Sequence, residues 1–174
     1  MRLKGKKVIT VIENDFEDSE LIYPHYRLKE EGAISHIVGK EAEKTYTGKN
    51  GVPVVSDLSF DQARIEEYDA MLIPGGWAPD KLRRYKEVLE MVHFMNDSKK
   101  IIGQICHAGW VLISADILKG VQVTSTPGIK DDMVNAGAYW HNEEIVVDGH
   151  IVSSRRPPDL PAYGRALVEA IESR

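Results

Sequence analysis

The chain has 174 residues, of which 43% are hydrophobic, and it carries a net charge of -5 and a single cysteine. This length can bury a core without disulfides or a structural metal, so we expect one domain over residues 1–174. One cysteine excludes an internal disulfide, and sparse cysteine usage fits a cytoplasmic protein. The negative charge argues against nucleic acid as a stable partner. We expect neither a signal peptide nor a membrane span, and no membrane partner.

The first half of the chain alternates apolar, β-branched runs with helical patterns. Strands are predicted at Val8–Ile12, Ile34–Val38 and Ala70–Ile73, with a helix between the first two and a small hairpin over residues 40–58. Continuous apolar strands are typical of a parallel sheet that is covered on both faces. A helix is predicted from Pro79, where apolar residues recur at intervals of three or four.

The second half continues the same alternation. It predicts a strand at Ile101–Ile105, a helix to about Ala115, a strand at Val121–Thr124, a helical segment at Pro127–Asn135, a hairpin at Glu144–Val152 and a last helix capped by Asp159. Strands and helices alternate throughout, without repeats or linkers. This order predicts a single α/β sandwich.

The only cysteine, Cys106, lies where the predicted strand Ile101–Ile105 gives way to a helix. A thiol at a helix N-terminus meets unpaired backbone N–H groups and the positive end of the helix dipole, and both favour the thiolate. The sequence therefore predicts a nucleophile at this turn.

Three predicted strands are followed by residues that can take part in catalysis. These are Glu13–Asp18, Gly75-Gly76 and Cys106-His107. In open α/β sheets, ligands bind outside the carboxyl ends of the strands. If the strands are neighbours, Gly75 and Gly76 can form an oxyanion hole together with the N–H of His107. The imidazole can take the proton of the thiol.

Each feature also has an ordinary structural explanation. A lone cysteine is often a small buried hydrophobic residue, a Gly-Gly pair occurs in many loops, and an acidic turn can simply cap a helix. The convergence of all three at one edge of the sheet favours catalysis. The scattered histidines have no ligand spacing, so we expect no metal and no cofactor.

Five motifs, spread over nearly the whole chain, resemble the PfpI-type intracellular protease and protein deglycase family. They are Asn14-Asp-Phe-Glu-Asp-Ser-Glu-Leu21, Leu72-Ile-Pro-Gly-Gly-Trp-Ala-Pro-Asp80, Ile105-Cys-His107, Lys130-Asp-Asp132 with Asn135-Ala-Gly-Ala138, and Ser154-Arg-Arg-Pro-Pro-Asp-Leu-Pro161. The resemblance implies a flavodoxin-like, three-layer α/β sandwich with a mostly parallel sheet and a nucleophile elbow.

The resemblance also implies roles for individual residues. Cys106 is the nucleophile, His107 is the base, and Glu17 hydrogen-bonds to the sulfur. By motif position, Asp80 is the acid that reaches the ring of His107 across a subunit interface, where some relatives carry glutamate. Trp77 replaces a histidine found in some relatives and narrows the pocket.

These residues lead to a cofactor-independent cysteine hydrolase as the expected function. The resemblance implies methylglyoxal-type carbonyls or their early adducts on proteins as the favoured substrates, and a homo-oligomer, a dimer or larger, as the assembly. Three alternatives remain open: an intracellular cysteine peptidase, a non-enzymatic stress protein in which Cys106 senses oxidants or whose surface binds unfolding proteins, and a binding module for a small carbonyl or acid without turnover.

Overall fold

A seven-stranded sheet forms the centre of the computed structural model, which describes residues 1–174. The strands of the chain are Lys7–Val11 (β1), Ile34–Gly39 (β2), Thr45–Thr47 (β3), Pro53–Val55 (β4), Leu58–Ser59 (β5), Ala70–Ile73 (β6), Ile101–Ile105 (β7), Gln122–Val123 (β8), Tyr139–Trp140 (β9), Ile145–Asp148 (β10) and Ile151–Ser154 (β11). The order in the sheet is β10-β11-β7-β6-β1-β2-β5, and all neighbours are parallel except β10 and β11. The predicted α/β class with a mostly parallel sheet is confirmed.

Helices cover both faces of this sheet. They are Asp18–Glu30 (α1), Ala78–Leu82 (α2), Lys86–Asp97 (α3), Gly109–Ser114 (α4), Lys130–Asn135 (α5) and Leu160–Glu172 (α6). The apolar side chains of α3 and α4 belong to a cluster of 29 buried residues on one face, and those of α6 to a cluster of 14 on the other. None of the helices has both the length and the apolar character needed to cross a membrane.

The central strand β7 contributes apolar side chains to both faces of the sheet. Ile102 packs into the larger cluster, whereas Ile101 and Ile105 pack into the smaller one. Successive side chains of a strand point to opposite faces, so a strand covered on both faces carries apolar residues on both. Its one polar residue, Gln104, is also buried and donates a hydrogen bond to the carbonyl of Thr124 at 2.7 Å. The core therefore lies on both sides of the sheet.

Two predicted helices differ in detail from the structure. The helix predicted from Pro79 is divided into α2 and α3, because Tyr85 adopts an extended conformation between them (φ -86°, ψ 118°). Asp159 does not cap α6 through its side chain. Its carboxylate instead accepts hydrogen bonds from Arg155 at 2.8 and 3.2 Å, which tie the end of β11 to the start of α6.

The carboxyl ends of β1, β6 and β7 lie side by side, and the loop after β1 pairs with the loop after β6. The N–H of Glu17 donates to the carbonyl of Gly75 at 3.0 Å, and that of Trp77 donates to Asp15 at 2.8 Å. Gly76 lies between these contacts with a φ of 75°. A Cβ there would come within 2.4 Å of the Glu17 nitrogen, so only glycine permits this approach.

Replacement of Gly76 by alanine is expected to lower the free energy of unfolding by more than the positive φ alone would cost, because the new Cβ also meets the loop after β1. Gly120 provides the matched control, because its φ is 77° but nothing lies within 4 Å of a Cβ there. We expect Gly120→Ala to lower the free energy of unfolding by about 1 kcal/mol, and Gly76→Ala by roughly 3 kcal/mol or more, in urea denaturation. Equal losses in the two variants would show that the two loops can separate without cost.

Candidate active site

Cys106 occupies a sharp turn between β7 and the helical segment that follows. Its φ is 63°, although it is not glycine. It begins a 3-10 turn, Cys106–Ala108, that leads into α4. A non-glycine residue in this conformation costs on the order of 1–3 kcal/mol, and such strain is found mostly at functional sites. Its carbonyl accepts a hydrogen bond from Thr126 at 3.2 Å, which anchors the turn. This geometry is the sharp turn from strand to helix that the sequence predicts at Cys106, and its role as a nucleophile stays a prediction.

The backbone supplies two hydrogen-bond donors at the sulfur, the N–H groups of Gly76 and His107. The N–H of Gly75 is not one of them, because it donates to Oε2 of Glu20 at 2.8 Å. The predicted use of the Gly75 N–H in an oxyanion hole is therefore wrong, whereas the N–H groups of Gly76 and His107, also named in that prediction, lie beside the sulfur. The role of Gly75 is to let Glu20 and Cys106 approach, since its Cβ would lie 2.4 Å from Oε2 and 2.6 Å from the Cβ of Cys106.

The carboxyl group beside the thiol belongs to Glu20, and the predicted contact of Glu17 with the sulfur is wrong. Glu17 begins α1 and places its carboxylate 2.6 Å from Nζ of Lys49. Glu20 lies one turn further along the same helix, is only 2% exposed, and interacts with Cys106. Its second oxygen, Oε1, is buried and has no hydrogen-bond partner in the chain.

Burial controls the protonation of this pair. It raises the pKa of the Glu20 carboxyl to about 8, against the opposing hydrogen bond from Gly75. Burial and the charge of Glu20 also raise the pKa of the Cys106 thiol, and the backbone donors of Gly76 and His107 only partly oppose this. The prediction that a helix N-terminus lowers this pKa is therefore wrong in its net direction. At neutral pH Glu20 is largely protonated, so it places little negative charge beside the sulfur.

The ring of His107 lies next to the thiol, with Nδ1 3.3 Å from Sγ of Cys106. The rings of Trp77 and Trp110 flank it, each with its centroid 5.0 Å from that of the imidazole. Burial lowers the pKa of His107, and the charge of Lys49 lowers it further. A neutral imidazole at this distance can accept the proton of the thiol. Trp77 lies against the ring of His107 and remains 55% exposed, and its narrowing of a substrate pocket stays a prediction.

Asp80 does not complete a triad within one chain. Its side chain is 60% exposed and forms an ion pair with Arg84 at 3.4 Å, and it makes no hydrogen bond to His107. The predicted contact across a subunit interface thus requires a second copy of the chain. No group of three or more His, Cys, Asp or Glu side chains is arranged to hold a metal ion.

Sequence reasoning missed two residues of this site. Glu20 lies three positions after Glu17, so the two carboxylates share one face of the predicted helix. The sequence pattern was therefore compatible with either of them beside Cys106. Lys49 lies at the tip of the hairpin formed by β3 and β4, and it reaches the site only through contacts with residues about thirty positions earlier. Nothing in its local sequence indicates that contact.

Residues 6–170 match the sequence profile of the DJ-1/PfpI family. The chain is 47% identical to Deglycase PH1704 of Pyrococcus horikoshii and 45% identical to Deglycase PfpI of Pyrococcus furiosus, in each case over 95% of this chain and 99% of the relative. Among solved structures, a two-domain protein of Anabaena variabilis with DJ-1/ThiJ/PfpI-like and ferritin-like domains superposes with a TM-score of 0.92 at 38% identity, over 94% of this chain and 47% of that one. DJ-1beta of Drosophila melanogaster has the same fold, with a TM-score of 0.91 at 21% identity over 97% and 91% of the two chains.

The raised pKa of Glu20 predicts a pH dependence of stability that Glu20→Gln removes. An unfolded glutamate ionises near 4.5, whereas the folded Glu20 does so near 8. Between these values the folded chain binds one more proton than the unfolded chain, so folding becomes less favourable as the pH rises. We expect the unfolding free energy of the wild type, relative to Glu20→Gln, to fall by up to about 1.4 kcal/mol per pH unit from pH 5 to 8.

Urea denaturation at several pH values measures this slope. The same comparison in a Cys106→Ser background serves as the control. The slope should persist there, because burial is the largest cause of the shift. A difference between wild type and Glu20→Gln that does not change with pH would mean that Glu20 ionises normally in the folded chain.

Proposed function

Because the chain belongs to the DJ-1/PfpI family, we propose that it is a cytoplasmic, cysteine-dependent hydrolase of the deglycase type. Its substrates are methylglyoxal-type carbonyls and their early adducts on proteins. The observation that carries the proposal is the strained elbow of Cys106, whose thiol meets the N–H groups of Gly76 and His107, the imidazole of His107 and the carboxyl of Glu20. The two Pyrococcus relatives are named deglycases, which supports this reaction class.

The proposed reaction begins when Nδ1 of His107 takes the thiol proton and the sulfur attacks the aldehyde carbon of methylglyoxal. The new C–S bond turns the carbonyl into an oxyanion, which the N–H groups of Gly76 and His107 stabilise. Protonation of that oxygen gives a hemithioacetal. His107 then moves the proton of the former aldehyde carbon to the neighbouring carbonyl carbon. The hydroxyl proton of the hemithioacetal passes to the neighbouring carbonyl oxygen, and the product is a thioester of an α-hydroxy acid. Water cleaves the C–S bond, so that methylglyoxal and one water become lactic acid.

The same steps can release an amine from an early protein adduct. The sulfur displaces the nitrogen at the carbinol carbon, and the amine leaves with a proton supplied by the site. Small carbonyl groups suit the geometry, because Trp77 and Trp110 flank the base and the thiol is largely buried. Glu20, protonated at neutral pH, can donate its proton to the thiolate and so stabilise it without adding charge.

Turnover of methylglyoxal tests the nucleophile. Cys106→Ser is expected to lower kcat/KM for lactate formation by at least about 1000-fold, because the hydroxyl is a much weaker nucleophile at this site. His107→Gln should lower kcat by a factor of roughly 100 or more, because the base is lost. Parallel assays with a peptide substrate, and of oligomeric state after mild peroxide, address the peptidase and oxidant-sensing alternatives. Equal residual rates in wild type and Cys106→Ser would refute the assignment of Cys106.

Asp80 of a second copy is the proposed acid that orients His107, and the active form is therefore a homo-oligomer. Two observations support this: Asp80 is exposed in the single chain, and Nε2 of His107 makes no hydrogen bond there. Only one ion pair, with Arg84, holds the Asp80 carboxylate, and an exposed pair of this kind contributes little. A neighbouring imidazole can therefore compete for it.

Subunit complementation tests this proposal. Asp80→Asn and Cys106→Ser should each be poorly active alone, yet their co-expression should restore activity, because a mixed oligomer contains sites with both an intact Cys106 and an intact Asp80. Co-expression of Cys106→Ser with His107→Gln is the control, since residues of one chain form both positions. Full activity of Asp80→Asn, or its failure to complement, would remove Asp80 from the site.

A further inference from the structure

The hairpin of β3 and β4 is fastened to the start of α1 by Asp18. The carboxylate of Asp18 accepts hydrogen bonds from the backbone of Asn50 at 3.0 Å, from the side chain of Asn50 at 3.1 Å and from the backbone of Val52 at 2.9 Å. A Cβ at Gly48 would lie 2.4 Å from this carboxylate, so glycine is needed for the contact. The hairpin tip is thereby held in one place relative to the active site.

This anchoring places Lys49 beside the catalytic residues. Its backbone N–H donates to the carbonyl of Phe16 at 2.9 Å, and its ammonium lies 2.6 Å from Oε2 of Glu17. Glu17 in turn donates its N–H to the carbonyl of Gly75, the residue that packs against Cys106. A short chain of contacts therefore joins the ammonium of Lys49 to the nucleophile.

The two members of the ion pair differ in how fully their hydrogen bonds are satisfied. The other oxygen of Glu17, Oε1, accepts from Ser19 at 3.1 Å and lies 3.5 Å from the side-chain nitrogen of Asn50. The Lys49 ammonium has three donors and a single partner in the chain, and its side chain is 40% exposed. Its free donors can therefore bind an anion that enters the site.

The charge of Lys49 also acts on each of the catalytic groups. It opposes the effect of burial on the thiol of Cys106 and on the carboxyl of Glu20, and it lowers the pKa of His107. Because burial keeps Glu20 largely protonated at neutral pH, that carboxyl does not cancel the ammonium. An anion close to the sulfur thus meets a positive group whose charge is offset by Glu17 alone.

We propose that Lys49 is a specificity-determining residue that makes the Cys106 site prefer carbonyl compounds carrying an anionic group over neutral ones. This preference for a substrate class rests on the proposed function. The electrostatic property itself can be measured without turnover. Cys106 is the only cysteine in the chain, so alkylation of the thiol reports on this site alone.

Iodoacetate and iodoacetamide form the test, because they alkylate a thiol in the same way but differ in charge. The readout is the ratio of their second-order rate constants at neutral pH and low salt. We expect Lys49→Met to lower the ratio of iodoacetate to iodoacetamide roughly three- to tenfold, and Lys49→Arg to keep it within about twofold. Glu17→Gln should raise the ratio, because it removes the anion that competes for the ammonium.

Lys81→Met is the matched control. Lys81 forms an ion pair with Asp15 at 2.6 Å near the same loops, but it lies outside the catalytic contacts. Its replacement should leave the ratio unchanged. The wild-type ratio should also fall as ionic strength rises, which tests the proposal without any substitution. A ratio that Lys49→Met leaves unchanged, or that Lys49→Met and Glu17→Gln shift in the same direction, would overturn the proposal. Failure of methylglyoxal turnover would not affect this result.

Discussion

The arrangement of the active site depends on a carboxyl group buried beside a thiol. Two adjacent anions in a buried site would repel strongly, so the pair is stable only if it retains a proton. The backbone N–H of Gly75 holds one oxygen of Glu20 in place, and the missing side chain of Gly75 leaves room for both Glu20 and Cys106. This use of Gly75 leaves the N–H groups of Gly76 and His107 as the backbone donors beside the sulfur.

The sheet brings these groups together and stabilises their strain. Because β1, β6 and β7 are adjacent and parallel, their carboxyl ends deliver the start of α1, the two glycines and the elbow to one edge. The positive φ values of Asp15, Gly76 and Cys106 all fall in these loops. Buried strands and hydrogen bonds between the loops offset the cost of these conformations. The strained elbow therefore depends on the packing of the whole central sheet.

The sequence was sufficient to predict the strands that are buried on both faces, because the apolar run Ala70–Ile73 and the three isoleucines of Ile101–Ile105 have few alternatives in a chain of this kind. The position of Cys106 between strand and helix was equally clear. The choice between Glu17 and Glu20 was not. Both begin the same helix, and only the rotation of that helix against the sheet determines which carboxyl is buried.

The direction in which the pKa of the Cys106 thiol shifts could not be predicted from the local sequence, for a related reason. The dipole of the helical segment and the N–H of His107 are properties of the local sequence, and they do favour the thiolate. Burial results from the assembled fold and acts in the opposite direction with a larger effect. α4 is also short, at Gly109–Ser114, so its dipole is small. Lys49 was missed because a hairpin tip acquires its role only from the surface against which it packs.

The exposure of Trp77 and Asp80 has a common explanation. Trp77 immediately precedes α2 and lies against the ring of His107, and Asp80 lies in the first turn of α2. A large aromatic side chain that is 55% exposed beside a buried thiol leaves apolar surface in water at the mouth of the site. A second copy of the chain that brought its own Asp80 to His107 would cover this surface in the same event. Burial of Trp77 and completion of the triad would then be a single step, which links the activity of the site to assembly.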